Sequence, residues 1–114
     1  MPMKGGIMFE QKDMILIPFP YSDLTGSKKR PALIISNNKL NQKEDRICCL
    51  VTSNEPKESG SLINSFEKGN LPFRSWVKPH RIFTISKKII VKKLCKVDDS
   101  FHKKVIKSIN EHIS

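Results

Sequence analysis

The stretch Asp13 to Ser36, DMILIPFPYSDLTGSKKRPALIIS, limits the possible folds more than any other part of this chain. Two short apolar runs, Met14 to Phe19 and Ala32 to Ile35, flank a polar loop that ends in Lys28-Lys29-Arg30-Pro31. Runs of this length, rich in Ile and Leu and bounded by turn residues, read as strands. Pro18 marks an edge position or a strand end. Arg30 is charged at any biological pH, and its fork of donors fits two oxygens of one phosphate. Pro31 fixes its own φ and biases Arg30 towards an extended backbone, which gives the guanidinium a defined exit direction. A hairpin with a soluble tip has the same pattern, so this segment alone leaves a phosphate site and a plain hairpin both open.

Further along, Ile47 to Val51 is a continuous apolar run that reads as a strand covered on both faces, ending at Thr52-Ser53-Asn54. Short candidate strands follow at Leu62 to Phe66, Ser75 to Val77, Ile82 to Ile85 and Ile89 to Leu94. The chain closes on an amphipathic helix. Asp98 or Asp99 can cap it, and Phe101, Val105, Ile106 and Ile109 share one face opposite Lys103, Lys104 and Lys107. The expected architecture is mainly β, a small barrel with a C-terminal helix packed on it. Residues 1–12, with Gly5-Gly6 and scattered charge, are expected to form a flexible N-terminal arm, and residues 13–114 a single domain.

The 114 residues carry a formal net charge of +10, which points to a polyanionic partner. From Lys78 to Lys107 there are ten Lys or Arg and two acids, so this segment holds most of the excess. Lysines that only solvate a surface would give the same composition. Hydrophobic residues make up 38%, a thin core for one domain, and a homodimer is the commonest way to supplement it. Cys48, Cys49 and Cys95 have no metal or disulfide spacing and suit a reducing cytoplasm. No secretory signal and no apolar run of the roughly 20 residues that span a bilayer is expected here.

The familiar enzyme signatures, a phosphate-cradling Gly-rich loop, HExxH, GxSxG and an EF-hand loop, do not occur. A cationic, hydroxyl-lined site without metal or cofactor suits one reaction above others. RNA carries its own nucleophile, the 2′-OH, beside each phosphate. A protein need only align that hydroxyl, neutralise the dianionic phosphorane and help protons move. A fixed Arg performs the second task, and a Thr or Ser hydroxyl can hold a phosphate oxygen or the leaving oxygen.

These residues resemble the MazF/PemK family of toxins from prokaryotic toxin–antitoxin pairs. The resemblance rests on Asp13-Met-Ile-Leu-Ile-Pro-Phe-Pro, the Asp23 to Gly26 loop, Lys29-Arg30-Pro31-Ala-Leu-Ile-Ile-Ser36, Leu50-Val51-Thr52, Ser75-Trp-Val-Lys-Pro79 leading to Ile82-Phe-Thr-Ile85, and the closing helix. It covers roughly residues 10–112 and implies an SH3-like barrel, a homodimer, an antitoxin protein as partner, and metal-independent, sequence-selective cleavage of single-stranded RNA in the cytoplasm. It also implies Arg30 and Thr52 as the catalytic pair. Residues 19–29 would grip substrate and meet the antitoxin, which makes Phe19, Tyr21, Lys28 and Lys29 candidate RNA contacts. Ser53, Trp76, His80 and Arg81 are further candidates for phosphate or base contacts, with His80 a rival acid–base group. Two features depart from the family pattern. The loop reads Gly26-Ser-Lys-Lys29, and His80-Arg81 stand where many members have an acidic-Gln pair.

Two other functions fit the same barrel: a non-catalytic toxin that poisons a protein such as DNA gyrase through its C-terminal helix, and a basic module that binds RNA or DNA without cutting it.

Overall fold

Alternation of apolar residues along short strands gives this chain one sheet with two buried faces. The computed structural model describes residues 7–19, 28–57 and 60–114. Seven strands are β1 (Asp13–Phe19), β2 (Lys28–Ile34), β3 (Asp45–Thr52), β4 (Ser61–Leu62), β5 (Phe66–Lys68), β6 (Trp76–Ser86) and β7 (Lys92–Val97), followed by α1 (Asp99–Ile113). Among the described residues they form one antiparallel sheet in the order β4-β6-β3-β2-β1-β7-β5. The expected strand from Leu62 to Phe66 is instead two short ones on opposite edges, β4 pairing with β6 and β5 with β7. Residues 63–65 bridge those edges, and so few residues reach at most about 14 Å. The sheet therefore curls until its edges approach, and the result is a mainly β, partly open barrel.

Successive side chains on each strand fall into two clusters, as a period of two requires. On one side Met14, Leu33, Cys49, Val51 and Val77 meet Phe101, Val105 and Ile109 of α1. On the other, Ile15, Ile17, Ala32, Ile34, Cys48 and Leu50 pack beneath Phe9, Phe83, Ile85 and Ile90. Full burial of each such side chain stabilises by about 1.5–3 kcal/mol. Asp98 caps α1, its carboxylate accepting the Phe101 N–H at 2.9 Å.

The structure moves further expected boundaries, and the strand expected at Ile89 to Leu94 is a 3-10 turn at Lys87–Ile89 followed by β7 at Lys92–Val97. Lys28 to Pro31 belong to β2 rather than to the end of a loop, because Lys28, Lys29 and Arg30 pair with Phe19, Pro18 and Ile17. The separate strands expected at Ser75 to Val77 and Ile82 to Ile85 are one strand, β6, bulged in the middle. Cys49 pairs with Ile82 and the next residue, Leu50, with Lys78, which leaves 79–81 unpaired.

Residues 7–12, read from sequence as part of a loose arm, are tied to the barrel. Arg46 is buried, and its guanidinium donates four hydrogen bonds of 2.8–2.9 Å to the carbonyls of Met8, Phe9, Lys43 and Asp45. Burial lowers its pKa. Lys12 bridges Glu67 at 2.9 Å and Asp99 at 2.8 Å, and Lys96 bridges Glu10 at 2.8 Å. Phe9 and Lys12 adopt positive φ, 64° and 79°, a conformation that costs energy outside glycine and is held by these contacts.

Arg46→Ala should remove four charge-assisted bonds and leave a cavity where the buried side chain stood, lowering unfolding free energy by about 3 kcal/mol or more. Urea titration measures this, and a loss below about 1 kcal/mol would refute the clamp.

His102, half-buried on α1, has its Nε2 buried without a hydrogen-bond partner. Burial lowers its pKa and so does the Lys12 charge, against the opposing effects of Asp99 and a backbone bond to Ile35. The native state thus binds this proton less readily than the unfolded chain. Its contribution is complete above the ordinary histidine pKa of about 6.5 and is lost as pH falls through the lowered native value. The drop in urea midpoint between pH 7.5 and 5 should therefore be smaller in His102→Gln than in the wild type.

Candidate active site

Register alone brings the two principal candidates together. In the β2–β3 ladder Ala32 faces Leu50 and Ile34 faces Cys48. Continuing by two residues sets Arg30 level with Thr52, the last residue of β3, on the same side of the sheet. Ala32, Ile34, Cys48 and Leu50 are covered by apolar side chains, and Arg30 and Thr52 come next, where that cover stops. Both are half-buried. Pro31 lies just beyond the end of the β3 ladder, and Pro18 two residues beyond the end of the β7 ladder. Each proline thus sits where its strand has one ladder instead of two, so little pairing is lost to the absent N–H.

Arg30 and Thr52 line one cavity of about 400 Å³ at these strand ends, with Lys29, Ser53 and Ser75 as other polar groups on its wall. Pro31, Val51 and Leu94 add apolar lining, and because Val51 and Leu94 belong to the helix-side cluster, both faces of the sheet contribute to the cavity where the strands end. Thr52 Oγ1 accepts the Asn54 N–H at 3.1 Å, which orients the hydroxyl and keeps its own proton for donation. A guanidinium, an ammonium group and several hydroxyls, with no carboxylate among the described lining residues, make a receptor for a phosphate and for the charge that builds on phosphorus under attack.

The other candidates lie elsewhere. Trp76 pairs with Thr52 across β3 and β6, is half-buried, and carries the Arg74 guanidinium 5.6 Å above its ring, but does not line the cavity. His80 and Arg81 are exposed on the β6 bulge and do not line it either. The bulge turns His80 towards the end of α1, where its ring stacks on His112 with centroids 6.0 Å apart. Tyr21 and the side chains of Phe19 and Lys28 lie outside the described residues.

One wall was not anticipated. Residues 70–73, Asn-Leu-Pro-Phe, line the same cavity. The only hint in the sequence is Phe73, an apolar residue in an otherwise polar stretch.

The expected concentration of binding charge from Lys78 to Lys107 is partly spent inside the molecule. Lys93 and Lys96 reach the buried Asp13 carboxylate at 3.2 and 3.6 Å, and Lys88 pairs with Glu44. Burial pushes the Cys48 and Cys49 thiols up to about 12 and Cys95 to about 11, so none is a ready nucleophile.

No curated protein matches the sequence. Solved structures do match the fold. An endoribonuclease in complex with its cognate antitoxin from a mycobacterial species superimposes with a TM-score of 0.72 at 18% identity, covering 90% of this chain and 91% of that one. A MazE–MazF crystal structure from Deinococcus radiodurans gives 0.73 at 13% identity, covering 96% and 98%. Mycobacterium tuberculosis toxin MazF-mt6 gives 0.68 at 13%, covering 87% and 93%. At these identities the likeness is one of fold. The sequence profile of the PemK-like, MazF-like toxins of type II toxin–antitoxin systems matches residues 10–113, and the chain belongs to that family.

Proposed function

We propose that this toxin is a metal-independent endoribonuclease that cuts single-stranded RNA at the cavity holding Arg30 and Thr52. The observation that carries the reading is that Arg30 and Thr52 line one cavity, which places a cation and an oriented hydroxyl around the same space. Family membership supports it, as do structural neighbours described as endoribonucleases. In the reaction the 2′-oxygen bonds to phosphorus, the bond from phosphorus to the 5′-oxygen breaks, and the 2′-OH proton departs while the leaving oxygen gains one. The products are a 2′,3′-cyclic phosphate and a 5′-OH. Arg30 meets the charge on the phosphorane oxygens, and Thr52 donates to a phosphate oxygen or to the leaving oxygen. Lys29 holds a neighbouring phosphate. The working form is a cytoplasmic homodimer, and an antitoxin neutralises it by occupying this face, as solved toxin–antitoxin complexes of the fold suggest.

With a long single-stranded RNA and excess EDTA, cleavage should persist. Arg30→Ala should slow it by about 10²–10³-fold, the scale of one lost preorganised donor. Arg30→Lys should recover little, because an ammonium lacks the planar fork. Thr52→Ala should cost about tenfold to a hundredfold, with RNA affinity changing far less than rate in both variants. Loss of cutting in EDTA, products with a 5′-phosphate, or an all-deoxy strand cut equally well would overturn the mechanism. A gyrase poison or a plain binding module would leave the RNA whole.

Iodoacetamide at pH 8 should leave the folded enzyme active and its three thiols largely unlabelled, because they are buried and their pKa values lie at about 11–12. Mass spectrometry after denaturation should show all three alkylated. Rapid inactivation of the native protein would contradict this.

A further inference from the structure

Phe73 is 74% exposed, yet the backbone that carries it is fixed from both sides. Upstream, Gly69 has φ +70°, and a Cβ there would stand 3.3 Å from Cys95 Cβ, so the turn out of β5 needs glycine. Leu71 packs against the helix-side core, and Pro72 restricts the next step. Downstream, the Ser75 hydroxyl donates to the Phe73 carbonyl at 3.1 Å, and the Ser75 carbonyl accepts the Ile63 N–H at 2.9 Å. A large apolar ring in water on an immobilised loop gains nothing for the fold. It is an aromatic surface held ready for a planar partner, at little further cost in entropy.

Its position defines the partner. Phe73, Pro72 and Asn70 line the same cavity as Arg30 and Thr52. Among the described residues its lining is thus part cationic and hydroxylic and part apolar, with Asn70 as its one amide. At about 400 Å³ it has the size of a site for one small ligand. A nucleotide has this division: a phosphate for the cationic wall, and a base with a π-face for the ring and a hydrogen-bonding edge for the amide.

We infer that residues 70–73 form a base subsite of the ribonuclease, in which Phe73 stacks on a base flanking the cut phosphate and Asn70 reads that base's edge. This rests on the nuclease reading above. Stacking is tolerant of sequence, whereas an amide that offers one donor and one acceptor is not, so selectivity at this position comes from Asn70 and affinity from Phe73.

The test maps cut sites of the wild type, Phe73→Ala, Phe73→Trp and Asn70→Asp on one long transcript. An oligonucleotide spanning the preferred site is then made uncleavable with deoxyribose at the cut nucleotide, and 2-aminopurine replaces each neighbouring base in turn. At one position the wild type should change the 2-aminopurine emission through stacking, Phe73→Trp should preserve the change, and Phe73→Ala should abolish it. Phe73→Ala should raise KM about tenfold to a hundredfold with kcat within a few-fold, the scale of one lost stacked base. Asn70→Asp, which replaces a donor with an acceptor, should alter the preferred base at that position alone.

Unchanged KM and unchanged emission in Phe73→Ala, with Arg30→Ala still inactive, would overturn the subsite and leave the nuclease standing. An altered oligomeric state in Phe73→Ala by light scattering, with RNA affinity intact, would also overturn it and make Phe73 a contact between copies. A Phe73-dependent emission change from a wild type that cuts no RNA would preserve the subsite and refute the nuclease.

Discussion

The pairing of Ala32 with Leu50 is the constraint on which the site depends. A slip of one residue would carry every side chain of β2 to the other face of the sheet, placing Ala32 and Ile34 among the helix-side residues and Arg30 away from Thr52. Apolar burial on both faces penalises that slip, because Leu33 and Cys49 fill one core while Ala32, Ile34, Cys48 and Leu50 fill the other. The relative placement of Arg30 and Thr52, the proposed catalytic pair, therefore comes from the packing of hydrophobic residues. The 70–73 loop obeys a similar rule, with Leu71 packed against the core and Gly69 against Cys95 fixing the backbone that carries Asn70 and Phe73. Rigid elements supply the position, and polar groups at their ends supply the chemistry.

What the sequence made legible was local. The apolar runs of β1, β2 and β3, the Asp98 cap, and the Phe101, Val105 and Ile109 face of α1 all follow from periodicity and capping chemistry, and the structure agrees. Arg30 stood out at the foot of an apolar run, and Thr52 joined it as a candidate through the family resemblance. Their adjacency, by contrast, depends on strand register, which no short-range pattern encodes.

The misses have the same origin. Leu62 to Phe66 looked like one strand because a single apolar stretch cannot reveal that its two ends pair with opposite edges of a curled sheet. The strands expected at Ser75 to Val77 and Ile82 to Ile85 looked separate because a three-residue bulge in β6 is invisible without knowing what β6 pairs with. Arg46 was passed over altogether. An Arg before Ile-Cys-Cys reads as a strand end in solvent, whereas its partners are four carbonyls, two of them in a segment nearly forty positions upstream. Backbone acceptors carry no sequence signature, so a buried cation of this kind is found only in three dimensions.

Charge completes the account, since a net +10 matters only where it is unopposed. The carboxylates of Glu10, Asp13, Glu67 and Asp99 gather around the start of β1, where they bind Lys12, Lys93 and Lys96. Glu44 sits at the start of β3, paired with Lys88. Arg30, by contrast, lies level with Ile17 near the far end of β1, and Thr52 ends β3. Four residues of strand separate Asp13 from Ile17, about 13 Å, which exceeds the Debye length of about 8 Å at physiological salt. Those acids therefore do little to weaken the field at the other end, where Glu55 is the described acid nearest Thr52 in sequence and does not line the cavity. The cavity wall that carries Lys29 and Arg30 keeps its charge for an anion from outside, and a polymer of phosphates brings the most of it.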